Sequence, residues 1–283
     1  NLTRLNPNIV DLIVTNKIRT TVSLDGQKSI HDRFRIYPSG AGSFDTVVNN
    51  FLALSREGAP LAVEVVFGPA HMLEGETMIS VYDALWEMFH PSGLVFGLVG
   101  QTANTADTAE WRAFGEQVKV DSLALGKHFV TTLEREPSVR QVRRLIERCT
   151  HQGANDSFCG AGRDSITVDS QGVRWPCYFF KTPEPLAAPT TAVRILPLIT
   201  ASLETPKSEI AQCQTCDFIS ICHQCPGILH QATGSASSPI AIECDFFAGI
   251  NEGMLSGLSE RYRLGGDSWL ATAELIRNVG EST

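Results

Sequence analysis

The chain has 283 residues and a formal net charge of −8, from 23 Lys and Arg against 31 Asp and Glu. Hydrophobic residues make up 43% and charged residues 19%, a globular composition that excludes disorder and collagen-like repeats. The acidic balance argues against nucleic acid or an anionic membrane as a partner, and no stretch approaches the ~18 consecutive apolar residues of a membrane span. No secretory signal precedes the first predicted element. We therefore expect a soluble, cytoplasmic protein.

The first half of the chain alternates helical and strand patterns. Apolar spacing predicts a helix over 7–15, and a β-rich run predicts a strand over 18–24. A second helix is expected to begin with Ser43 as its N-cap and to end at Gly58. The remaining predicted elements are a strand over 61–67, a helix over 76–89, a strand over 94–99 and a helical region over 108–132.

This alternation predicts an α/β fold with a parallel sheet built by right-handed crossovers. Only three strands are visible, and three parallel strands would leave bare sheet edges, which whole proteins close or cover. We therefore expect residues 1–134 to be the C-terminal part of a partial (β/α) barrel whose first strands lie outside these residues.

After residue 134 the pattern changes. The sequence predicts a short basic helix over 139–150 and a small hairpin over 166–175, and 245–262 predicts a closing helix. Between the hairpin and the closing helix lie a proline-bearing connector and a dense cysteine segment. We divide the chain into the partial barrel (1–134), a cysteine-rich domain (135–264) and a C-terminal tail (265–283).

All eight cysteines lie in the stretch from Cys149 to Cys244. Seven of them follow a spaced pattern: Cys159, Cys177, Cys213, Cys216, Cys222, Cys225 and Cys244. Thiolates suit soft metals, and their clustering in a chain of this size favours metal ligation over a disulfide framework. Five residues separate the two Cys-x2-Cys pairs, fewer than the ~15 to 20 of common zinc ribbons. Because Cys225 is also followed by Pro226, as in bacterial ferredoxins, the pattern favours iron–sulfur clusters, with structural zinc as the alternative. We expect Cys149, outside the pattern, to be a buried structural thiol.

The cysteine segment resembles the SPASM extension of radical S-adenosylmethionine peptide maturases. The resemblance is carried by Cys159-Gly160-Ala161-Gly162, by Trp175-Pro176-Cys177, by the cysteine run 213–225 and by the lone Cys244. Relatives in this family include anaerobic sulfatase-maturing enzymes and enzymes that crosslink ribosomal peptides. The resemblance implies a SPASM iron–sulfur domain after a radical-SAM-type partial barrel.

The first half resembles the barrel of the same family. Three strings match its fourth strand and the loop that follows: Val22-Ser23-Leu24-Asp25-Gly26, Ile30-His31-Asp32-x2-Arg35 and Gly40-x-Gly42-Ser43-Phe44-Asp45. By this resemblance, Ser23 and Arg35 contact the amino-acid end of S-adenosylmethionine. General physics agrees, because α/β folds bind ligands at the carboxyl ends of parallel strands and an Arg fork suits a carboxylate.

The resemblance also implies two auxiliary 4Fe–4S clusters. By position, the first cluster takes Cys159, Cys177 and Cys225, and the second takes Cys213, Cys216, Cys222 and Cys244. The first set is one thiol short, so we expect an open iron there, or a further ligand such as Cys149 or a substrate thiol. The implied function is that of an oxidoreductase that abstracts hydrogen from a peptide or protein side chain, with S-adenosylmethionine as cofactor and a reducing electron-transfer protein as partner.

Two departures from the family bear on function. The Cys-x3-Cys-x2-Cys motif of the cluster that cleaves S-adenosylmethionine is absent from these residues, so we expect them to be part of a longer enzyme and to be inactive alone. Sulfatase-maturing relatives carry an Asp directly after the cysteine that matches Cys177, where this chain has Tyr178. This argues against sulfatase maturation. The alternative function is a non-catalytic iron–sulfur or zinc module that binds peptides or transfers electrons.

Overall fold

The computed structural model describes residues 1–100, 108–132, 145–147, 156–163, 166–169, 172–181 and 203–281. The first part contains α1 (Pro7–Thr15), β1 (Thr20–Ser23), α2 (Lys28–Phe34), α3 (Phe44–Arg56), β2 (Leu61–Phe67), α4 (Pro69–Leu73), α5 (Met78–Phe89), β3 (Gly93–Leu98) and α6 (Ala109–Thr131). The second part contains β4 (Thr167–Val168), β5 (Arg174–Trp175), α7 (Ala211–Gln214), α8 (Pro226–Thr233), α9 (Ala241–Leu264) and α10 (Gly266–Glu281).

The three long strands form a parallel sheet in the order β1–β2–β3. Val22 pairs with Val63, and Val63 pairs with Leu94, so the central strand β2 contacts both neighbours. Alternate side chains of β2, including those of Val63 and Val65, are fully buried. The predicted parallel α/β arrangement is therefore confirmed. The short strands β4 and β5 pair antiparallel, as the predicted hairpin requires.

The core under this sheet is shared by both parts of the chain. Buried residues of α3, α5 and α6 pack on the strands, and α9 adds Phe246, Ile250 and Met254 to the same cluster. Helix α9 lies along α6, and the Lys127 ammonium forms an ion pair with Glu260 at 2.6 Å. The predicted cysteine-rich domain thus contributes a helix to the core of the predicted barrel.

Glycines let α6 and α9 approach closely. A β-carbon added at Gly253 would collide with the backbone of Leu123 and Lys127, and one added at Gly126 would collide with the backbone of Ile250. Close backbone approach of two helices requires small residues at the contact. The two parts of the chain are therefore joined along a tight helix pair.

Ser43 stands at the N-cap of α3 as predicted, but its side chain does not cap the helix. Its hydroxyl donates to the Arg35 carbonyl at 2.7 Å, and the Phe44 N–H donates instead to Asp32 Oδ1 at 2.8 Å. Asp32 belongs to α2, a short helix that the apolar periodicity did not predict. The cap therefore comes from a neighbouring helix, which a local cap signal does not show.

Other sequence predictions agree with the structure only in part. The predicted tail includes a helix, α10. Most of the predicted basic helix and Cys149 lie outside the described residues, although 145–147 are helical. Among the described helices, none has the length and apolar character needed to cross a membrane.

Candidate functional site

Three predicted cluster ligands lie near one another beside the sheet. Burial is the main cause that raises the pKa of Cys225 to about 11, and the nearby charges of Cys159 and Cys177 raise it further. Cys177 lies two residues after the hairpin, Cys159 precedes it, and Cys225 is the N-cap residue of α8. The structure therefore brings together the three residues of the first predicted set.

The other four thiols surround a separate cavity of ≈140 Å³, which Cys213, Cys216, Cys222 and Cys244 line. Burial raises the pKa of Cys222 to about 12, and it is also the main cause that raises the pKa of Cys244. The charges of Cys213 and Cys216 raise the pKa of Cys244 as well. These are the residues of the second predicted set, and whether either set binds iron stays a prediction.

The four thiols of the second group line a space that is larger than a single ion. In a closed zinc site four ligands converge on one point, about 2.3 Å from each sulfur. Within the described part of the chain, no three His, Cys, Asp or Glu side chains lie close enough together to bind one metal ion. The cavity of ≈140 Å³ is many times the ~10–15 Å³ that one water needs. The donor set is therefore compatible with an iron–sulfur cluster.

Hydrogen-bond donors surround the sulfurs. The Cys244 sulfur accepts from Gln224 Nε2 at 3.0 Å and from Gln212 Nε2 at 3.4 Å, and the Cys159 sulfur accepts from the Ala161 N–H at 3.4 Å. Donors of this kind stabilise thiolate charge and tune the potential of metal–sulfur groups.

A buried cation lies beside the second thiol group. Lys207, 1% exposed, lines the same cavity, and its ammonium donates to the Ile219 carbonyl at 2.5 Å and to the Cys222 carbonyl at 3.5 Å. Burial raises the pKa of Cys213 and Cys222, and the positive charge of Lys207 partly offsets this increase. Sequence reasoning missed Lys207, because no local sequence pattern indicates that a lysine will be buried.

A larger cavity of ≈740 Å³ lies against the carboxyl halves of the parallel strands. Ser23 and Arg35, the residues predicted to contact S-adenosylmethionine, line this cavity, as do Cys159 and Cys225 of the first thiol group. Ser23 is the last residue of β1. Ligands of open parallel sheets bind at this end of the strands.

Arg35 is held by an aspartate that sequence reasoning did not assign to the site. Its Nε donates to Asp25 Oδ2, and its Nη2 donates to Asp25 Oδ1 at 2.8 Å. This bond to Asp25 is the main cause that raises the pKa of Arg35. Asp25 is 3% exposed and also accepts the Val66 N–H at 3.1 Å. The Asp25 carboxylate therefore orients the Arg35 guanidinium at the edge of the cavity.

Two further acceptors border this cavity and were also missed. Glu243, on α9, is 3% exposed, and burial raises the pKa of its carboxyl to about 7. Gln224 is 1% exposed and lines both cavities. Buried polar residues of this kind leave no periodic signal in a sequence.

Solved structures supply the decisive comparison. The structure of anSMEcpe, an anaerobic sulfatase-maturating enzyme, with bound AdoMet is similar, with a TM-score of 0.63 and 15% identity over 97% of this chain and 74% of that one. This chain has the fold of that enzyme. The complex of anSMEcpe with AdoMet and the Cp18Cys peptide has a TM-score of 0.64 and 16% identity over 92% of this chain and 74% of that one. The complex with the Kp18Cys peptide has a TM-score of 0.60 and 15% identity over 100% of this chain and 75% of that one.

The comparison confirms the resemblance that the motifs indicated, at the level of the fold. The chain is a mixed α/β protein with a parallel sheet, like a radical S-adenosylmethionine enzyme. The sequence matches no family model and no curated protein. At identities of 15 and 16% the likeness concerns the fold, and function has to be argued from the site.

Proposed function

We propose that this chain forms the substrate, cofactor and auxiliary-cluster part of a radical S-adenosylmethionine maturase that modifies a side chain of a peptide or protein. The observation that carries the proposal is the shared cavity: one space of ≈740 Å³ is bordered both by Ser23 and Arg35 and by Cys159 and Cys225. The fold neighbours anSMEcpe with AdoMet and peptide support the same kind of function.

S-adenosylmethionine would lie at the carboxyl edge of the sheet. The Ser23 hydroxyl and the Arg35 guanidinium would bind its amino-acid end, and Asp25 would keep the guanidinium in position. When bound to a reduced cluster, this cofactor supplies the radical that abstracts a substrate hydrogen. The residues described here orient the cofactor and shape the cavity.

The two thiol groups would hold the auxiliary clusters. We assign Cys213, Cys216, Cys222 and Cys244 to a closed cluster beside Lys207, and Cys159, Cys177 and Cys225 to a cluster at the substrate cavity. The clusters require reducing surroundings, so the proposal includes a cytoplasmic location and a reducing electron-transfer protein as partner.

The side chain that follows Cys177 argues against sulfatase maturation as the specific reaction. Tyr178 lines the large cavity and stacks on Phe179 with ring centroids 4.3 Å apart. A phenol donates a hydrogen bond where the sulfatase-maturing relatives would present a carboxylate. We therefore propose a different side-chain modification.

Metal analysis tests the proposal. Anaerobically reconstituted protein should hold about eight iron and eight sulfide per chain, because two 4Fe–4S clusters are expected. A colourless protein with stoichiometric zinc and no iron would contradict it and favour a zinc module.

The radical step is tested separately. The 283 residues lack the Cys-x3-Cys-x2-Cys motif, so alone they should not convert S-adenosylmethionine to 5′-deoxyadenosine under strong reduction. A form of the protein that includes this motif should do so. Cleavage by the 283 residues alone would show that the chemistry has been assigned to the wrong part of the protein.

A further inference from the structure

The large cavity contains a buried carboxylate whose purpose the proposed function leaves open. Glu243 is 3% exposed and lines the cavity, and no described residue donates a hydrogen bond to its carboxylate or forms an ion pair with it. Burying an ionisable group without a partner costs free energy, and proteins keep such groups mainly where a ligand uses them. Glu243 therefore indicates a ligand that brings its own donors.

The same cavity has a second buried acceptor. Gln224 lines the same cavity, and its Nε2 donates to the sulfur of Cys244, the residue that follows Glu243 in the chain, at 3.0 Å. This bond fixes the side-chain amide, and Gln224 Oε1 is buried without a donor among the described residues. The cavity is thus lined by two acceptors, the Glu243 carboxylate and Gln224 Oε1.

The two arginines among the described residues of the cavity wall do not pair with Glu243. The Arg35 guanidinium is engaged by both oxygens of Asp25. Arg163 donates from Nη2 to Ser157 Oγ at 3.3 Å. Glu64 adds another carboxylate to the lining. A group that carries a positive charge and several N–H donors would complement these carboxylates and the amide oxygen.

We propose that the cavity receives a cationic side chain of the substrate peptide, a lysine or an arginine, whose charge pairs with Glu243 and whose N–H groups also donate to Gln224 Oε1. The inference rests on the proposed function, because it takes the cavity as the place where the peptide binds. Glu243 is then a residue that determines substrate specificity.

Binding of single-residue probes to the anaerobically reconstituted protein tests this inference. Nα-acetyl-lysine amide and Nα-acetyl-norleucine amide have the same carbon chain and differ in the ammonium group. Calorimetry should show the lysine probe binding about tenfold or more tightly, the size expected for a charged hydrogen bond. The preference should disappear in Glu243→Gln and persist in Glu252→Gln, which changes an exposed glutamate on the same helix.

Three results would overturn the inference. The first is equal binding of the lysine and norleucine probes to the unaltered protein, a comparison that requires no variant to fold. The second is binding of the lysine probe to Glu243→Gln as tightly as to the unaltered protein. The third is a loss of affinity of Glu243→Gln for S-adenosylmethionine and not for lysine, which would assign the carboxylate to the cofactor. Lysine preference without iron would instead contradict only the proposed function, and two clusters without lysine preference would contradict only this inference.

Discussion

The contact between Asp25 and Arg35 shows how a single residue pair prepares the proposed cofactor site. Asp25 lies in the turn that follows β1, and its backbone carbonyl is 2.6 Å from His71 Nε2. Because the Gly68 N–H donates to His71 Nδ1 at 3.1 Å, Nε2 is the nitrogen that donates to this carbonyl. The turn is thereby fixed, and the carboxylate presents both oxygens to Arg35. Arg35 is thus oriented before any ligand arrives, which lowers the entropy cost of binding.

Replacement of Arg35 by methionine tests this pair. Arg35→Met should lower the free energy of unfolding by about 1–3 kcal/mol, because Asp25 would remain buried without its cation. Urea denaturation measures the change. Arg33→Met, which changes an exposed arginine in the last turn of α2, should change stability by about 0.5 kcal/mol or less. Equal effects of the two substitutions would show that the pair does not stabilise the fold.

At the scale of elements, the contact between α6 and α9 joins the predicted barrel to the cysteine-rich part. Gly249, Gly253 and Gly257 recur every fourth residue of α9, and a β-carbon at any of them would crowd α6. The same helix carries Cys244 and Glu243 at its beginning. The tight packing of α9 therefore sets the position of one predicted cluster ligand and of the cavity carboxylate relative to the sheet.

Glycine-to-alanine substitutions test this contact. Gly253→Ala should destabilise the protein by about 1–3 kcal/mol, because the added methyl group would meet backbone atoms of α6 that cannot move aside easily. Gly115→Ala is the matched control, since nothing lies within 4 Å of a β-carbon there. It should stabilise α6 by about 0.5–1 kcal/mol through higher helix propensity. A Gly253→Ala protein as stable as the parent in urea would mean that the helices can separate at little cost.

At the scale of the whole molecule, the two thiol groups have different surroundings. The second group encloses a small cavity beside Lys207, whereas the first lies next to the large cavity. A cluster whose irons all have protein ligands can serve only in structure or electron transfer. A cluster with one iron that lacks a protein ligand, next to the large cavity, could bind substrate directly. The described residues supply three thiols to the first group.

Added ligands should distinguish the two clusters. Cyanide or a small thiol should change the spectrum of one cluster in the reconstituted parent and equally in Cys149→Ala, because the first cluster is expected to have an open iron. Cys216→Ala should lose the other cluster, about four of eight iron per chain. No spectral response to either ligand, or loss of the first cluster in Cys149→Ala, would show that the site is closed.

Local spacing in the sequence predicted most of the elements and their order. The strand bounds 61–67 and the helix bounds 7–15 agree with β2 and α1, because apolar periodicity reports directly on which face is buried. These bounds are set by residues close together in the chain. The division of the thiols into two groups was instead implied by the resemblance to the SPASM extension, and the fold brings the same residues together.

Only the tertiary structure decided the chemistry of the large cavity. Asp32 caps a helix other than its own, Asp25 holds Arg35, and Glu243 lines the cavity because α9 packs on α6. Each of these roles depends on a contact between different elements, and the burial of a polar side chain depends on everything packed around it. A sequence pattern reports neighbours along the chain, so it could predict single helices and strands but not which acceptors line the large cavity.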